Sequence, residues 1–218
     1  MQRAPLILLA ALALSGMVAR AGPPARDEAC DPRLGAPFAV RERPSLGSTN
    51  APIVVVEFGS YKCSHCQEFH RRVFPDLYER YVKNGQVQWF IVPASDDAAE
   101  QSGRIFTIGR CVDRQGKFWE TLDFLMTISH KPPTFLNDLV AQNSAIDSNE
   151  LGVCLQQREP RMLVARDFDE YRLLKVQGTP TFIVRKLRAG GTRTETVVRG
   201  FQSAEYFQRI FDELAKSP

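Results

Sequence analysis

Two cysteines three positions apart, Cys63 and Cys66, stand between segments of opposite periodicity, and this arrangement constrains the fold most. Residues 53–58 are apolar and mostly β-branched, which predicts a buried central strand. Beyond the cysteines, apolar side chains recur at helical spacing as far as Tyr81, so a helix follows, which Pro75 should kink. The cysteine pair is therefore expected where a helix begins, directly after a central strand.

The other periodic segments predict an α/β fold in which helices interrupt the sheet. A second buried strand covers residues 87–92, and strands at 181–187 and 194–199 precede a final helix with Ser203 as its N-cap. Between the second and third strands, residues 96–176 show only helical periodicity. The helices predicted there cover residues 98–115, 118–129, 135–142, 150–157 and 162–174.

The N-terminus is typical of a secretory signal, because a basic start and an apolar centre lead to Ala19-Arg20-Ala21. A membrane anchor is the alternative, but the apolar run is shorter than the ~20 residues that a span needs. We expect a soluble protein in the periplasm or outside the cell, after cleavage near Ala21. The predicted segments are a signal peptide at 1–21, a flexible leader at 22–45 with a short strand at 38–40, the first part of the α/β fold at 46–95, a helical insertion at 96–176 and the second part at 177–218.

The charge balance argues against one class of partner. The full chain has a formal net charge of +3, and removal of residues 1–21 takes away Arg3 and Arg20 but no acidic residue, which leaves +1. So small a charge gives no electrostatic footprint for nucleic acid or for an anionic membrane surface. We therefore expect no nucleic-acid partner.

The order Cys63-Ser64-His65-Cys66 suits reversible oxidation. A thiolate at a helix N-terminus faces unpaired backbone N–H groups and the positive end of the helix dipole, and both lower its pKa. The imidazolium of His65 would favour the thiolate further. The pattern predicts Cys63 as the attacking thiol and Cys66 as the thiol that resolves the mixed disulfide.

Two other interpretations of the cysteine pair remain open. It could be half of a zinc site with His70 as a third ligand, although a second close pair of ligands is missing from the sequence. It could also be a purely structural disulfide, which seldom occupies so tight a loop. We expect His70 and His130 to be surface or capping groups rather than ligands, and we predict neither a metal nor a cofactor.

Two distant segments resemble one known family. Residues 55–66, Val-Val-Glu-Phe-Gly-Ser-Tyr-Lys-Cys-Ser-His-Cys, resemble the active-site segment of the DsbA-like thioredoxin family, and residues 178–182, Gly-Thr-Pro-Thr-Phe, resemble its cis-proline loop. The similarity spans residues 46–214. It implies a thioredoxin fold with an all-helical domain inserted between a βαβ unit and a C-terminal ββα unit. The implied activity is that of an exported thiol:disulfide oxidoreductase.

The resemblance also implies roles for single residues. Pro180 would follow a cis peptide bond and line the substrate groove together with Thr179. Glu57 resembles the family's buried acid, which helps to move the proton on Cys66, and its apolar neighbours favour burial. Ser64 stands where the best-known oxidases have proline, which leaves the oxidising strength open.

The partners implied by the resemblance are unfolded or thiol-containing exported proteins, together with a membrane protein that recycles the enzyme. That protein would be a quinone-linked thiol oxidase or a membrane reductant, and we expect the enzyme to be a monomer.

We favour an oxidase because His65 precedes the second cysteine. A reductase or isomerase is the alternative, although residues 22–45 are too few for the dimerisation domain that isomerases of this fold carry. A non-enzymatic or metal-carrying module is the other class, against which the intact Cys63, Cys66 and Pro180 argue.

Three further cysteines, Cys30, Cys111 and Cys154, make the total odd. Cys111 and Cys154 lie on apolar faces of the helical block, where two buried free thiols are one outcome. Export favours their oxidation if they meet, and some members of the resembling family carry a second disulfide in this block. We expect a structural bridge between Cys111 and Cys154, which leaves Cys30 as the odd thiol.

Overall fold

A strand that is buried along its whole length forms the centre of the sheet. The computed structural model describes residues 43–95, 100–132, 137–138, 140, 142–187 and 193–216. The strands are β1 (Ser45–Leu46), β2 (Ile53–Gly59), β3 (Val87–Pro93), β4 (Thr181–Leu187) and β5 (Arg193–Arg199). They lie in the order β1-β3-β2-β4-β5, and β2 and β3 are parallel while the other neighbouring pairs are antiparallel. Because β2 is central and covered on both faces, its apolar sequence lacks the alternation of a half-exposed strand.

Helices separate β3 from β4, as the periodicity predicts. The described helices are α1 (Ser64–Arg72), α2 (Phe74–Leu77), α3 (Glu100–Arg114), α4 (Phe118–Ile128), α5 (Ser148–Gln156), α6 (Glu159–Leu173) and α7 (Ala204–Lys216). The order of elements confirms a thioredoxin fold with a helical insertion between its βαβ and ββα units. Four of the eight residues of the helix predicted at 135–142 lie outside the described part of the chain.

The helix after the cysteines breaks where proline enters the chain. α1 ends at Arg72, and Pro75 lies in the first turn of α2, where its missing N–H costs no hydrogen bond. A π-helical turn at Tyr78–Val82 follows, and Gly85 lies in the turn after it with a φ of +73°. The kink predicted at Pro75 is thus a break between two helices.

The edge strand β1 occupies a place where the sequence shows no strand pattern. It pairs antiparallel with Phe90 and Trp89 of β3, which have strong strand propensity of their own. A two-residue strand is too short for alternation to be visible in sequence, which is why it was not predicted. The strand predicted at 38–40 lies outside the described residues.

A buried cluster of charges joins the segment before β1 to the helical insertion. The Arg43 guanidinium donates from Nε to Asp167 of α6 at 2.9 Å and also bonds Glu170. Asp167 also accepts a bond from Arg110 of α3. All four residues are buried, so each charge depends on the others for compensation.

A cluster of aromatic side chains packs between α1, the sheet and α7. Phe69 of α1 packs on Phe182 of β4 with ring centroids 4.7 Å apart, and Phe182 packs on Phe207 of α7 at 4.9 Å. Trp89 of β3 stacks on Phe69 at 5.8 Å. Each fully buried ring contributes about 1.5–3 kcal/mol through removal of apolar surface from water. The cysteine-bearing helix is therefore fixed to both halves of the sheet.

Candidate active site

Cys63 and Cys66 lie where the chain leaves the turn after β2 and enters α1. Cys63 is the N-cap of α1 and has an extended backbone, with φ −73° and ψ 118°. Its side chain is partly exposed, whereas Cys66, one turn later, is 0% exposed. Both residues carry free thiols. Of these two residues, only Cys63 is accessible to a sulfur atom of another protein.

The environment separates the pKa values of the two thiols. A hydrogen bond with the Cys66 thiol is the largest influence that lowers the pKa of Cys63, and Thr179 and the backbone N–H groups of Cys66 and His65 add to it. Partial burial opposes these bonds, but the pKa of Cys63 still falls to about 5. The bond between the thiols, burial and the charge of Glu57 raise the pKa of Cys66. Near neutral pH the pair is therefore an accessible thiolate beside a buried thiol.

Thr179 and Pro180 lie against Cys63 just before β4. The peptide bond between them is cis, and the Thr179 carbonyl oxygen is 3.3 Å from the Cys63 sulfur. Gly178 precedes them with a φ of +75°, which glycine adopts without steric cost. Pro180 is buried, whereas Thr179 and Cys63 are both partly exposed.

Glu57 of β2 is buried near Cys66, with 1% of its surface exposed. The indole Nε1 of Trp89 donates to Oε2 at 2.9 Å, and the Nε2 of His70 lies 2.9 and 3.1 Å from the two carboxylate oxygens. The prediction that His70 is a surface or capping group is therefore wrong, because its side chain is only 5% exposed. The missed signal was its position four residues after Cys66, which places both on one helix face.

His65 and Ser64 are both exposed on the first turn of α1. The backbone N–H of His65 is among the groups that lower the pKa of Cys63. The contribution of its imidazole to the thiolate stays a prediction.

A match to known sequences identifies the family. A family model described as Thioredoxin matches residues 40–201, well over half of the chain. A protein from Bacillus anthracis named probable disulfide bond formation protein D is 31% identical over 160 residues, which cover 67% of this chain and 71% of that protein. The chain belongs to the DsbA-like thioredoxin family. Another relative is disulfide bond formation protein D of Bacillus subtilis (strain 168), 27% identical over 161 residues, 67% of this chain and 69% of its own.

Solved structures of DsbA-like proteins have the same fold. Alpha-DsbA1 of Wolbachia pipientis superposes with a TM-score of 0.70 at 20% identity, over 84% of this chain and 94% of its own. Oxidised BdbD from Bacillus subtilis gives 0.66 at 22% identity, over 82% and 95%. Taken with the sequence relatives, the cysteine pair makes this DsbA-like protein a thiol:disulfide oxidoreductase.

Gln67 links the active-site helix of this DsbA-like protein to the helical insertion. Its Nε2 donates to the carbonyl oxygen of Tyr61 at 2.7 Å and lies 3.3 Å from that of Met126 in α4. The same nitrogen is 3.0 Å from Nε2 of His130, which is exposed. Sequence reasoning missed this contact, since it depends on how α4 packs against α1.

A disulfide joins Cys111 of α3 to Cys154 of α5, with the Cα atoms 5.7 Å apart. Both residues are buried, and they lie away from the Cys63–Cys66 pair in the helical insertion. Cys30 lies outside the described residues.

Within the described residues, no group of three or more histidine, cysteine or acidic side chains is arranged to hold a metal ion. Every helix there also falls short of the length and hydrophobicity that a membrane span requires.

Proposed function

We propose that this DsbA-like protein is an exported oxidase that transfers its Cys63–Cys66 disulfide to thiol pairs in other exported proteins. The observation that carries this direction is the lowered pKa of Cys63, about 5. A thiolate that is stable at neutral pH stabilises the reduced enzyme relative to its disulfide. The disulfide is then a good oxidant of ordinary protein thiols.

In the proposed reaction, a substrate thiolate attacks the Cys63 sulfur of the enzyme disulfide. The bond between the two enzyme sulfurs breaks, and Cys66 leaves with the electron pair. A second substrate thiolate attacks the substrate sulfur of the mixed disulfide, and Cys63 leaves as a thiolate. The substrate loses two electrons and the enzyme gains them. Cys66 takes up one proton, while Cys63 needs none near neutral pH because its pKa is about 5.

Glu57 exchanges the proton on Cys66 in this scheme. Its negative charge acts on the Cys66 thiol and contributes to the raised pKa of that group. A buried thiol cannot exchange its proton with bulk water directly, so a nearby carboxylate supplies the first step.

Thr179 and Pro180 form the proposed substrate groove. Support comes from the 3.3 Å separation between the Thr179 carbonyl oxygen and the Cys63 sulfur, because a mixed disulfide on Cys63 would form next to this backbone. Replacing Pro180 by alanine should slow release of the substrate, so that disulfide-linked complexes through Cys63 accumulate in cells. The double variant with Cys63→Ser is the control, and recovery of no complexes from Pro180→Ala would contradict the groove.

Export and recycling complete the proposal. The signal peptide at 1–21 and the leader at 22–45 lie almost wholly outside the described residues, and the segment boundaries stay predictions. We propose that the mature protein is released near Ala21, acts as a monomer on unfolded or thiol-containing exported proteins, and is reoxidised by a membrane quinone-linked thiol oxidase. A reductase would instead depend on a membrane reductant.

Two activities measured side by side test the direction. The oxidised enzyme should restore activity to a reduced, unfolded substrate protein, and the reduced enzyme, supplied with dithiothreitol as electron donor, should reduce insulin poorly. The Cys63→Ser variant should do neither. Equilibration with glutathione should show the enzyme more reduced than a glutathione disulfide pair under the same conditions. Efficient reduction of insulin without oxidation of the substrate protein would show that the protein is a reductase. If the unmodified protein has neither activity, a binding module is favoured.

A further inference from the structure

A buried imidazole–carboxylate pair lies beside the resolving thiol. Nε2 of His70 is 2.9 Å from Oε1 and 3.1 Å from Oε2 of Glu57, so the ring nitrogen is shared between both carboxylate oxygens. The two side chains are 5% and 1% exposed. A buried carboxylate is costly unless donors satisfy it, and the indole N–H of Trp89 donates to Glu57.

The groups around this pair are mostly uncharged. The His70 ring packs against Phe69 of its own helix at 5.5 Å and Phe74 of α2 at 5.0 Å between ring centroids. Besides His70, the titratable groups that interact with the Glu57 charge among the described residues include the Cys66 thiol and the phenol of Tyr61. Burial raises the pKa of Tyr61, so that its phenol stays neutral at physiological pH. Among these neighbours, Cys66 is the group that must gain or lose a proton during disulfide exchange.

Gly59 leaves a small space between the carboxylate and the thiol. A Cβ atom at this position would lie 3.2 Å from Glu57 Oε1 and 3.8 Å from the Cys66 sulfur. Both groups therefore border the same gap, which a side chain at residue 59 would fill. The Cys66 thiol and the Glu57 carboxylate are thus both next to the position that glycine leaves without a side chain.

We propose that His70 positions the Glu57 carboxylate and shares with it the proton that Cys66 gives up and takes back. This inference rests on the proposed role of Glu57. When Cys66 resolves a mixed disulfide on Cys63, its thiol proton passes to the Glu57–His70 pair, which then holds one more proton. The electron pair left on Cys66 attacks the Cys63 sulfur, the bond to the other molecule breaks, and that molecule leaves as a thiolate. In the opposite direction the pair returns the proton to Cys66 as it leaves Cys63.

Single-turnover resolution of a glutathione mixed disulfide on Cys63 isolates this step. In His70→Phe the release of glutathione should be at least about tenfold slower at pH 7, since a base loses its partner. The rate should also rise tenfold per pH unit, because only the small thiolate fraction of Cys66 then reacts. The intact protein should show a shallower profile. His70→Gln, whose amide can still donate to Glu57, should recover part of the rate.

His130→Phe is the matched control, because it makes the same change at an exposed histidine and should keep the parent rate and profile. The thiolate titration of Cys63 should be unchanged in His70→Phe, which shows that the effect acts on Cys66. The variant Glu57→Gln/His70→Phe should be no slower than Glu57→Gln, because His70 acts through Glu57.

A parent-like rate and pH profile in His70→Phe would overturn the inference. If that variant does not fold, the intact protein decides, since a strict tenfold rise per pH unit between about pH 5 and 8 would equally exclude a proton-carrying pair. These results do not depend on the direction of the physiological reaction. Parent-like resolution in Glu57→Gln would instead contradict the proposed role of Glu57.

Discussion

The carbonyl oxygen of Thr179 lies 3.3 Å from the sulfur of Cys63, although 116 positions separate the two residues in the chain. A hydrogen bond with Thr179 is among the interactions that lower the pKa of Cys63. The Cys66 thiol contributes most, and the backbone N–H groups of Cys66 and His65 also favour the thiolate. Together these bonds outweigh the effect of partial burial, so the pKa of Cys63 is about 5. β2 and β4 are antiparallel neighbours, so the loop before β4 meets the end of β2.

Titration of thiolate absorbance near 240 nm in the reduced protein should give a midpoint near pH 5 for Cys63. Cys66→Ala should raise that midpoint most, because the bond with the Cys66 thiol is the largest cause of the low pKa. His65→Ala should raise it less and make the disulfide less oxidising. Cys63→Ala is the blank. A midpoint at or above ~8.5, the ordinary value for cysteine, would contradict the proposed thiolate.

The stability of the reduced protein relative to the oxidised protein should depend on pH. Cys63 ionises at about 5 in the folded state and near ~8.5 when unfolded. Its contribution is therefore fully present above ~8.5 and is lost as the pH falls through about 5. The raised pKa of Cys66 has the opposite effect, since above ~8.5 only the unfolded state releases its proton.

Urea unfolding of both redox forms between about pH 5 and 10 measures this difference. The reduced form should gain stability relative to the oxidised form up to about pH 8.5 and lose it above. The oxidised form serves as the reference, because its disulfide does not titrate and the other groups are shared. A difference that stays constant with pH would rule out both pKa shifts.

Loss of the Cys111–Cys154 bridge should destabilise the protein without removing its activity. The bridged residues are 43 positions apart. The chain-entropy model gives about 3–4 kcal/mol for a loop of this size. The double alanine variant should lose that free energy of unfolding in urea while the Cys63 titration stays unchanged. Because the bridge is buried, mild reductant should open Cys63–Cys66 first, and peptide mapping that shows free Cys111 and Cys154 in the oxidised protein would contradict the pairing.

Asp167→Ala should be strongly destabilising because it leaves Arg43 and Arg110 buried beside too little negative charge. Breaking a buried pair in this way costs about 3–5 kcal/mol. Asp169→Ala is the control on the same helix, since its bond to Arg172 is exposed and should matter by less than about 1 kcal/mol. Equal effects of the two substitutions in thermal and urea unfolding would show that the buried cluster contributes little.

Local pattern accounts for most of the fold. The strands at 53–58, 87–92 and 181–187 were predictable because each is a short segment rich in apolar, β-branched and aromatic residues, which is typical of a buried strand. The short edge strand β1 was not, because two residues carry no periodicity and its pairing is supplied by β3.

The sequence by itself determined which sulfur reacts, because a cysteine pair at the start of a helix has one accessible and one buried position. Only the tertiary structure decided what surrounds that pair. The sequence predicts a surface position for His70, whereas in the structure its ring contacts Glu57 of β2. Thr179 lies beside Cys63 because β2 pairs with β4. Such contacts join residues that are distant in the chain. Local propensity and hydrophobic pattern depend on near neighbours alone, so they do not predict contacts between distant residues.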